Sequence, residues 1–210
     1  MDPRLREHAQ AAKGFMPANE GDALYAAAAQ VAHKGPLLEV GSYCGKSSVY
    51  LGAAAHVGES VVFCVDHHRG SEENQAGWEH HDTSVVNPRT GRMDTLPTFR
   101  DTIEIAALED VVIALVGPSM LVAKWFATEL AFLFIDGGHG IEPARNDYLH
   151  WTPKVMQGGL LAIHDVFPNP AEGGQAPHDQ IFIPALASGN FVEETNLSCG
   201  SLRILRRIGE

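Results

Sequence analysis

The chain has 210 residues, a formal net charge of −11 at pH 7, and 45% hydrophobic and 20% charged residues. This length and balance are typical of one globular domain with a substantial core. The negative charge argues against a nucleic-acid substrate, because phosphate binding needs a basic surface and only Arg203, Arg206 and Arg207 form a local basic cluster.

The sequence also lacks signals for a membrane or for secretion. No apolar run is long enough to cross a bilayer, and the first residues, MDPRLREH, lack the apolar core of a signal peptide. The three cysteines, Cys44, Cys64 and Cys199, do not have the spacing of a metal site, and Cys64 lies in an apolar run. We therefore expect reduced cysteines, a cytoplasmic location and no membrane partner.

Strand and helix patterns alternate along the chain. An amphipathic helix over about 22–33 ends at Gly35 and Pro36, a strong helix stop. The elements expected after it are strand Pro36–Val40, helix Ser47–His56, strand Ser60–Asp66, helix Thr95–Leu108, strand Asp110–Val116, helix Leu121–Thr128, strand Leu130–Asp136, helix Glu142–Met156, strand Gly159–His164, and a closing pair of strands, Phe191–Thr195 and Ser201–Arg206. Apolar runs separated by helices predict an α/β fold, a doubly wound, mostly parallel seven-stranded sheet with helices on both faces.

The organisation of the chain is simple. No repeat or linker divides it, so we expect one domain over residues 1–210 with an N-terminal helical segment over 1–34. Two stretches without periodicity, 67–94 and 167–180, are candidate lids, although the first could equally be a mobile solvated loop. The first contains Trp78, which is suited to stacking on a sugar or adenine ring, and the second contains His178.

The stretch between the first strand and its helix, Glu39–Ser48 (EVGSYCGKSS), has several possible interpretations. A phosphate-binding P-loop needs four residues between its glycines, and Gly41 and Gly45 have only three between them. A dinucleotide fingerprint needs a glycine where Tyr43 stands. A loop for S-adenosylmethionine fits better, because Glu39 suits a sulfonium and an ammonium and glycines allow close backbone approach. A plain strand–turn–helix joint is the remaining alternative.

Four stretches of the sequence together resemble the class I S-adenosylmethionine-dependent methyltransferases. They are Glu39–Ser48, Asp66 at the end of the second strand, Phe134–His139 (FIDGGH) and Gly158–Asp165 (GGLLAIHD), in that order. The resemblance spans about residues 35–167. More narrowly, the chain is similar to small bacterial O-methyltransferases of sugars, including the type that methylates the reducing-end hydroxyl of methylated mannosides.

This resemblance implies a set of cofactor-binding residues. It implies that Asp66 binds the ribose hydroxyls and that adenine lies beside Gly117–Ser119. The expected cofactor-binding residues are Glu39, Gly41, Ser42, Tyr43, Gly45, Ser47, Ser48, Asp66, His67, Ser119 and Asp136.

Two acids of the sequence indicate a metal site. Asp136 and Asp165 end neighbouring strands, so both carboxylates should face one crevice, where they suit a hard cation. The resemblance to metal-dependent family members implies Mg²⁺ at these positions. His164 stands where related sugar enzymes often carry an acid, and it is the third candidate ligand.

A hydroxyl needs activation before it can attack a methyl group, and a divalent cation with a nearby base supplies it. His139 lies three residues after Asp136 and resembles the general base of the sugar enzymes, although it could equally cap the following helix. His164 is the reserve candidate for the base.

We therefore predict Mg²⁺-assisted transfer of a methyl group from S-adenosylmethionine to a hydroxyl of a small polar acceptor, a sugar or glycoside. The alternatives are an O-methyltransferase of an aromatic or macrolide natural product, a nucleotide-binding or dehydrogenase domain, and a catalytically silent cofactor-binding module. A homodimer, with contacts before Gly21, is a possible assembly.

Overall fold

The computed structural model of the chain describes residues 1–71, 82–138 and 140–209. Its helices are α1 (Pro3–Ala11), α2 (Ala18–Val31), α3 (Lys46–Val57), α4 (Leu96–Ile105), α5 (Ser119–Trp125), α6 (Ile141–Trp151) and α7 (Ile183–Ala187). Its strands are β1 (Leu37–Val40), β2 (Val62–Asp66), β3 (Val112–Val116), β4 (Leu130–Ile135), β5 (Val155–Ile163), β6 (Phe191–Glu193) and β7 (Arg203–Arg207).

The strands form one seven-stranded sheet in the order β3-β2-β1-β4-β5-β7-β6. All neighbouring pairs are parallel except those of β7, which runs antiparallel to both β5 and β6. The predicted doubly wound, mostly parallel sheet is therefore confirmed. Strand order reverses between β1 and β4, and ligands of open parallel sheets bind beside such a reversal, at the carboxyl ends of the strands.

The sheet is covered by helices on both faces, which explains the unbroken apolar runs of its central strands. Leu37 and Phe132 belong to a core shared with α2 and α3, whereas Leu38 and Leu133 belong to a core shared with α6 and α7. Every residue of β1 and β4 is buried. Among the described residues, no helix has the length and apolar character needed to cross a bilayer.

The expected element boundaries differ from the observed ones mainly around two prolines and a glycine pair. The N-terminal helical segment is two helices, and Pro3 stands in the first turn of α1, where a missing N–H costs nothing. Helix α6 ends at Trp151, because Pro153 continues the chain only as a 3₁₀ turn over Thr152–Lys154. β5 then begins at Val155, four residues before the predicted start, and the glycines at 158 and 159 lie inside it where its pairing with β4 shifts register.

The turn after β1 brings two backbone segments into direct contact. Gly41 has a φ of +91°, and a Cβ there would lie 2.2 Å from the carbonyl oxygen of Asp136. The amide N–H of Gly41 donates to the carbonyl of Val65 at 2.9 Å, and that of Asp136 donates to the carbonyl of Val40 at 2.9 Å. The loop after β1 is therefore held against the ends of β2 and β4.

We expect Gly41→Ala to lower the free energy of unfolding by more than about 3 kcal/mol, because it adds a backbone clash to an unfavourable positive φ. Gly91→Ala is the matched control, since Gly91 has a φ of +67° but nothing within 4 Å of its added Cβ. It should cost only about 1 kcal/mol. Urea unfolding measures both, and equal losses would contradict the importance of the contact with Asp136.

Candidate functional site

A cavity of about 860 Å³ lies at the carboxyl ends of β1, β2, β4 and β5. Its walls come from the loops after these strands, from the turn between β3 and α5, and from residues 13–16 between α1 and α2. A cavity of this size accommodates a ligand of several hundred daltons. The strand reversal of the sheet and the cavity coincide, as expected for this fold.

The loop after β1 forms one wall of the cavity. Of the predicted cofactor residues, Gly41, Ser42, Tyr43 and Ser47 line it. The hydroxyl of Ser42 is buried and has no hydrogen-bond partner among the described residues, so it is available to a ligand. Gly45 does not line the cavity; with a φ of +91°, it forms the turn into α3 instead.

Glu39 lies behind this wall and does not line the cavity. Its side chain is completely buried, and the hydroxyl of Ser48 donates to Oε2. Oε1 has no partner among the described residues. Burial raises the pKa of Glu39 to about 7. Neither Glu39 nor Ser48 lines the cavity, because β1 turns the carboxyl of Glu39 toward α3, where it accepts from Ser48. Their direct contact with a cofactor stays a prediction.

Asp66 lies at the end of β2 and is held by the backbone. Its Oδ2 accepts the amide N–H of Tyr43 at 2.8 Å, and its Oδ1 accepts that of His68 at 2.7 Å. The carboxylate lines the cavity with further lone pairs available, which suits a vicinal diol such as that of a ribose. His67 also lines the cavity and is exposed; its contact with a cofactor stays a prediction.

The turn after β3 meets helix α6 at the opposite wall. Ser119 lines the cavity, but its hydroxyl donates to Asp147 Oδ1 at 2.5 Å and accepts the indole N–H of Trp151 at 2.8 Å. Asp147 also lines the cavity, and burial raises its pKa to about 6. Sequence reasoning missed Asp147; its signal was an acid on the inward face of an amphipathic helix.

A cluster of charged side chains lies at the ends of β4 and β5. His164 Nδ1 is 3.1 Å from Asp136 Oδ1 and 3.4 Å from Asp165 Oδ2, and His164 Nε2 is 2.8 Å from Glu20 Oε2. Asp165 has a φ of +55°, which places its side chain beside that of His164. The histidine is only 5% exposed, and it lines the cavity together with Asp136 and Asp165.

These carboxylates determine the charge of His164. Burial lowers its pKa, but the surrounding carboxylates of Asp136, Asp165 and Glu20 outweigh burial and raise it to about 12 when no metal ion is bound. Both ring nitrogens face carboxylates, so neither is open to a substrate proton. This geometry argues against the reserve assignment of His164 as general base.

The donor set of the cluster fits a divalent metal ion. One donor atom each from Asp136, His164 and Asp165 lie within 4.8 Å of one another. The separations of 3.1 and 3.4 Å from Nδ1 are close to the spacing of about 3 Å expected for adjacent ligands of an octahedral ion with bonds of about 2.1 Å. A metal ion and a proton on Nδ1 exclude each other, so the cluster fits either a bound ion or an imidazolium.

Comparison with known proteins identifies a family for this chain. Residues 38–166 match the family described as "Methyltransferase domain". The chain belongs to this family. The match covers β1 to the end of β5 and therefore every strand-end loop that lines the cavity.

Solved structures with the same fold cover the whole methyltransferase. A methyltransferase of Podospora anserina with bound SAH is 14% identical with a TM-score of 0.63, covering 100% of this chain and 89% of that one. An O-methyltransferase from Bacillus cereus in complex with SAH is 14% identical with a TM-score of 0.65, covering 100% and 92%. The O-methyltransferase TomG from Streptomyces achromogenes, in complex with SAM, is 16% identical with a TM-score of 0.62, covering 100% and 91%. Similarity at these identities shows a shared fold.

Two residues with predicted roles in the methyltransferase lie outside the described residues. These are His139, the candidate base, and Trp78 in the first candidate lid. The described ends of that lid differ: His67, Gly70 and Ser71 line the cavity, whereas residues 82–94 form a 3₁₀ turn and an isolated bridge between Val86 and Met93. Residues 167–180, the second candidate lid, do not line this cavity.

The N-terminal segment of the methyltransferase contributes residues that the sequence did not reveal. Lys13, Gly14, Phe15 and Met16 line the cavity. The ring of Phe15 is 65% exposed and lies 5.6 Å from that of Tyr43. The available signal in the sequence was an aromatic residue, Phe15, in a short stretch between Gly14 and Pro17. No local pattern indicated that this residue lies near the strand ends.

The buried carboxyl of Glu39 should make the free energy of unfolding depend on pH. Because burial favours its neutral form, its contribution to stability is fully present below about pH 4.5 and is lost as the pH rises through about 7. We expect Glu39→Gln, which does not ionise, to gain up to about 3 kcal/mol relative to the original chain between about pH 5 and pH 8. Urea unfolding at each pH measures this difference; Glu104→Gln, at an exposed position, should show none. A pH-independent difference for Glu39→Gln would contradict the buried, shifted carboxyl.

Proposed function

We propose that this methyltransferase transfers a methyl group from S-adenosylmethionine to a hydroxyl of a small polar acceptor, a sugar or glycoside, with the help of a divalent metal ion. The observation that carries the proposal is one cavity with two different carboxylate sites. Asp66 ends β2, and the cluster of Asp136, His164 and Asp165 ends β4 and β5. β2 and β5 are three strand spacings apart, which is about 14 Å and suits an extended cofactor beside an acceptor.

The cofactor site is proposed from the residues that face the cavity. Asp66 would accept the ribose hydroxyls, and the turn of Gly41 and Ser42, which lines the cavity, would lie against the methionine part. The hydroxyl of Ser42, which has no hydrogen-bond partner of normal geometry among the described residues, would supply a polar contact. The bound cofactor would supply an electrophilic methyl group on a sulfonium. The SAH- and SAM-bound structures of the same fold support this choice of cofactor.

The metal site is proposed at Asp136, His164 and Asp165, with Mg²⁺ as the expected ion. A bound divalent ion would lower the pKa of an acceptor hydroxyl and orient it. The chain itself would supply three ligands that all line the cavity, the buried ring of His164 and the two carboxylates. His139, between Asp136 and α6, is proposed as the base that takes the hydroxyl proton.

The acceptor is proposed to lie against the N-terminal segment. The exposed face of Phe15, beside Tyr43, offers a flat apolar surface for the C–H face of a sugar ring. The expected acceptors are therefore glycosides, with methylated mannosides as the first to test. The same aromatic surface suits an aromatic natural product, so that acceptor class is the second candidate. A cytoplasmic location remains part of the proposal, in keeping with the three free cysteines.

Calorimetry with S-adenosylhomocysteine (SAH) tests the cofactor site directly. We expect one site with micromolar affinity, and at least about tenfold weaker binding after Asp66→Ala, because the ribose hydroxyls lose a charged acceptor. The control is Asp110→Ala, at an exposed position outside the cavity. Absence of SAH binding by the original chain would rule out the proposed function.

Turnover in the presence of EDTA tests the metal site. We expect the chelator to abolish methyl transfer and Asp136→Ala to do the same, because the ion loses a ligand, while SAH still binds. Added Mg²⁺ or Mn²⁺ should restore the activity of the original chain only. Asp101→Ala, at an exposed position of α4, controls for charge removal. Full activity in chelator would exclude metal assistance.

Substitution of His139 tests the proposed base. A screen of methylated and unmethylated sugars with labelled S-adenosylmethionine first identifies an acceptor. With that acceptor, His139→Ala should slow methyl transfer at least about 100-fold and leave SAH affinity unchanged. His150→Ala is the control, because His150 is exposed on α6 and its Nδ1 is hydrogen-bonded to the carbonyl of Asn146 in the same helix. An unchanged rate for His139→Ala would assign the base to another residue.

A further inference from the structure

Glu20 connects the N-terminal helices to the charged cluster at the strand ends. It lies on α2, is 5% exposed, and stands 144 positions before His164 in the chain. Its Oε2 is 2.8 Å from His164 Nε2. No part of the function proposed above uses this residue, and its position before residue 38 lies outside the family match.

Both carboxylate oxygens of Glu20 are held in place by Ser201. The amide N–H of Ser201 donates to Oε1 at 3.0 Å, and its hydroxyl donates to Oε2 at 3.0 Å. The backbone also packs tightly here, because a Cβ on Gly200 would lie 2.1 Å from Oε1. Glu20 therefore has a fixed orientation, and Oε2 faces the ring of His164 as an acceptor.

This orientation determines which nitrogen of His164 carries a hydrogen. A ring nitrogen that faces a carboxylate oxygen at 2.8 Å donates to it, so Nε2 is protonated. The neutral ring then has its lone pair on Nδ1, the nitrogen that faces Asp136 and Asp165. Histidine ligands usually donate a hydrogen bond from one ring nitrogen and bind the metal ion through the other.

We propose that Glu20 is a positioning residue for the metal site, because it holds His164 as the tautomer that presents Nδ1 as a metal ligand. The inference rests on the metal site of the proposed function and adds a residue from a different part of the fold. The competing interpretation is that Glu20 only ties α2 to β5 and to the turn before β7.

Substitution of Glu20 by glutamine separates these interpretations. The amide N–H of Ser201 requires an oxygen at the Oε1 position, so the amide nitrogen of Gln takes the position that faces His164. This nitrogen donates, so His164 must accept at Nε2 and its hydrogen moves to Nδ1. Shape and packing hardly change, but the metal ligand is lost. Ser201→Ala is the matched control, since it removes one hydrogen bond of Glu20 and leaves the tautomer as it was.

The experiment is a titration with Mn²⁺ followed by electron paramagnetic resonance, without cofactor or acceptor. We expect one Mn²⁺ site in the original chain, about 10–100-fold weaker binding in Glu20→Gln, and a change of less than about threefold in Ser201→Ala. Thermal unfolding checks that each variant is folded. Because Glu20→Gln can fail to fold, ¹⁵N NMR of the Mg²⁺-loaded original chain gives an independent measurement, with Nε2 expected to carry the hydrogen.

Three results would overturn the inference if the original chain binds Mn²⁺. They are unchanged Mn²⁺ affinity in folded Glu20→Gln, equal losses in Glu20→Gln and Ser201→Ala, and a hydrogen on Nδ1 of His164 in the metal-loaded chain. Absence of any Mn²⁺ site in the original chain would overturn it as well. The SAH calorimetry described above keeps the two hypotheses distinguishable, because a chain that binds SAH but no Mn²⁺ contradicts the metal site and leaves the cofactor site standing.

Discussion

The close contact between the turn after β1 and the end of β4 is the constraint on which the rest of the site depends. Gly41 lies so near the carbonyl of Asp136 that no side chain fits between them. This contact exists because β1 and β4 are parallel neighbours at the reversal of strand order. The backbones meet at the floor of the cavity, while the side chains of Asp66 on one side and Asp165 on the other face into it.

The charged cluster joins elements that the chain order keeps apart. His164 at the end of β5 contacts Asp136 after β4 and Glu20 on α2, and Glu20 in turn contacts Ser201. Surface ion pairs contribute little to stability, but this set is mostly buried, so removal of one partner leaves an uncompensated charge. The same contacts that hold α2 against the sheet therefore also set the charge and the tautomer of a residue at the cavity.

Two residues at or near the cavity lie outside the family match. The family match runs from residue 38 to residue 166, and it contains the loop after β1, Asp66, Asp136 and Asp165. Phe15 and Glu20 precede it, yet one lines the cavity and the other contacts His164. A fold shared at 14–16% identity does not identify the acceptor, because one fold carries different functional sites in different proteins.

The sequence by itself predicted a mostly parallel seven-stranded sheet and the acids at the strand ends, because apolar runs, helix stops and glycine turns are local patterns. It also located the cavity-facing Gly41, Ser42, Tyr43 and Asp66. Only the tertiary structure decided that Glu39 faces α3 beneath the loop, since a strand buried on both faces gives no periodicity from which to read direction. It alone brought Glu20 to His164 across 144 positions, because such a contact depends on how α2 packs on the sheet and not on any neighbouring residue.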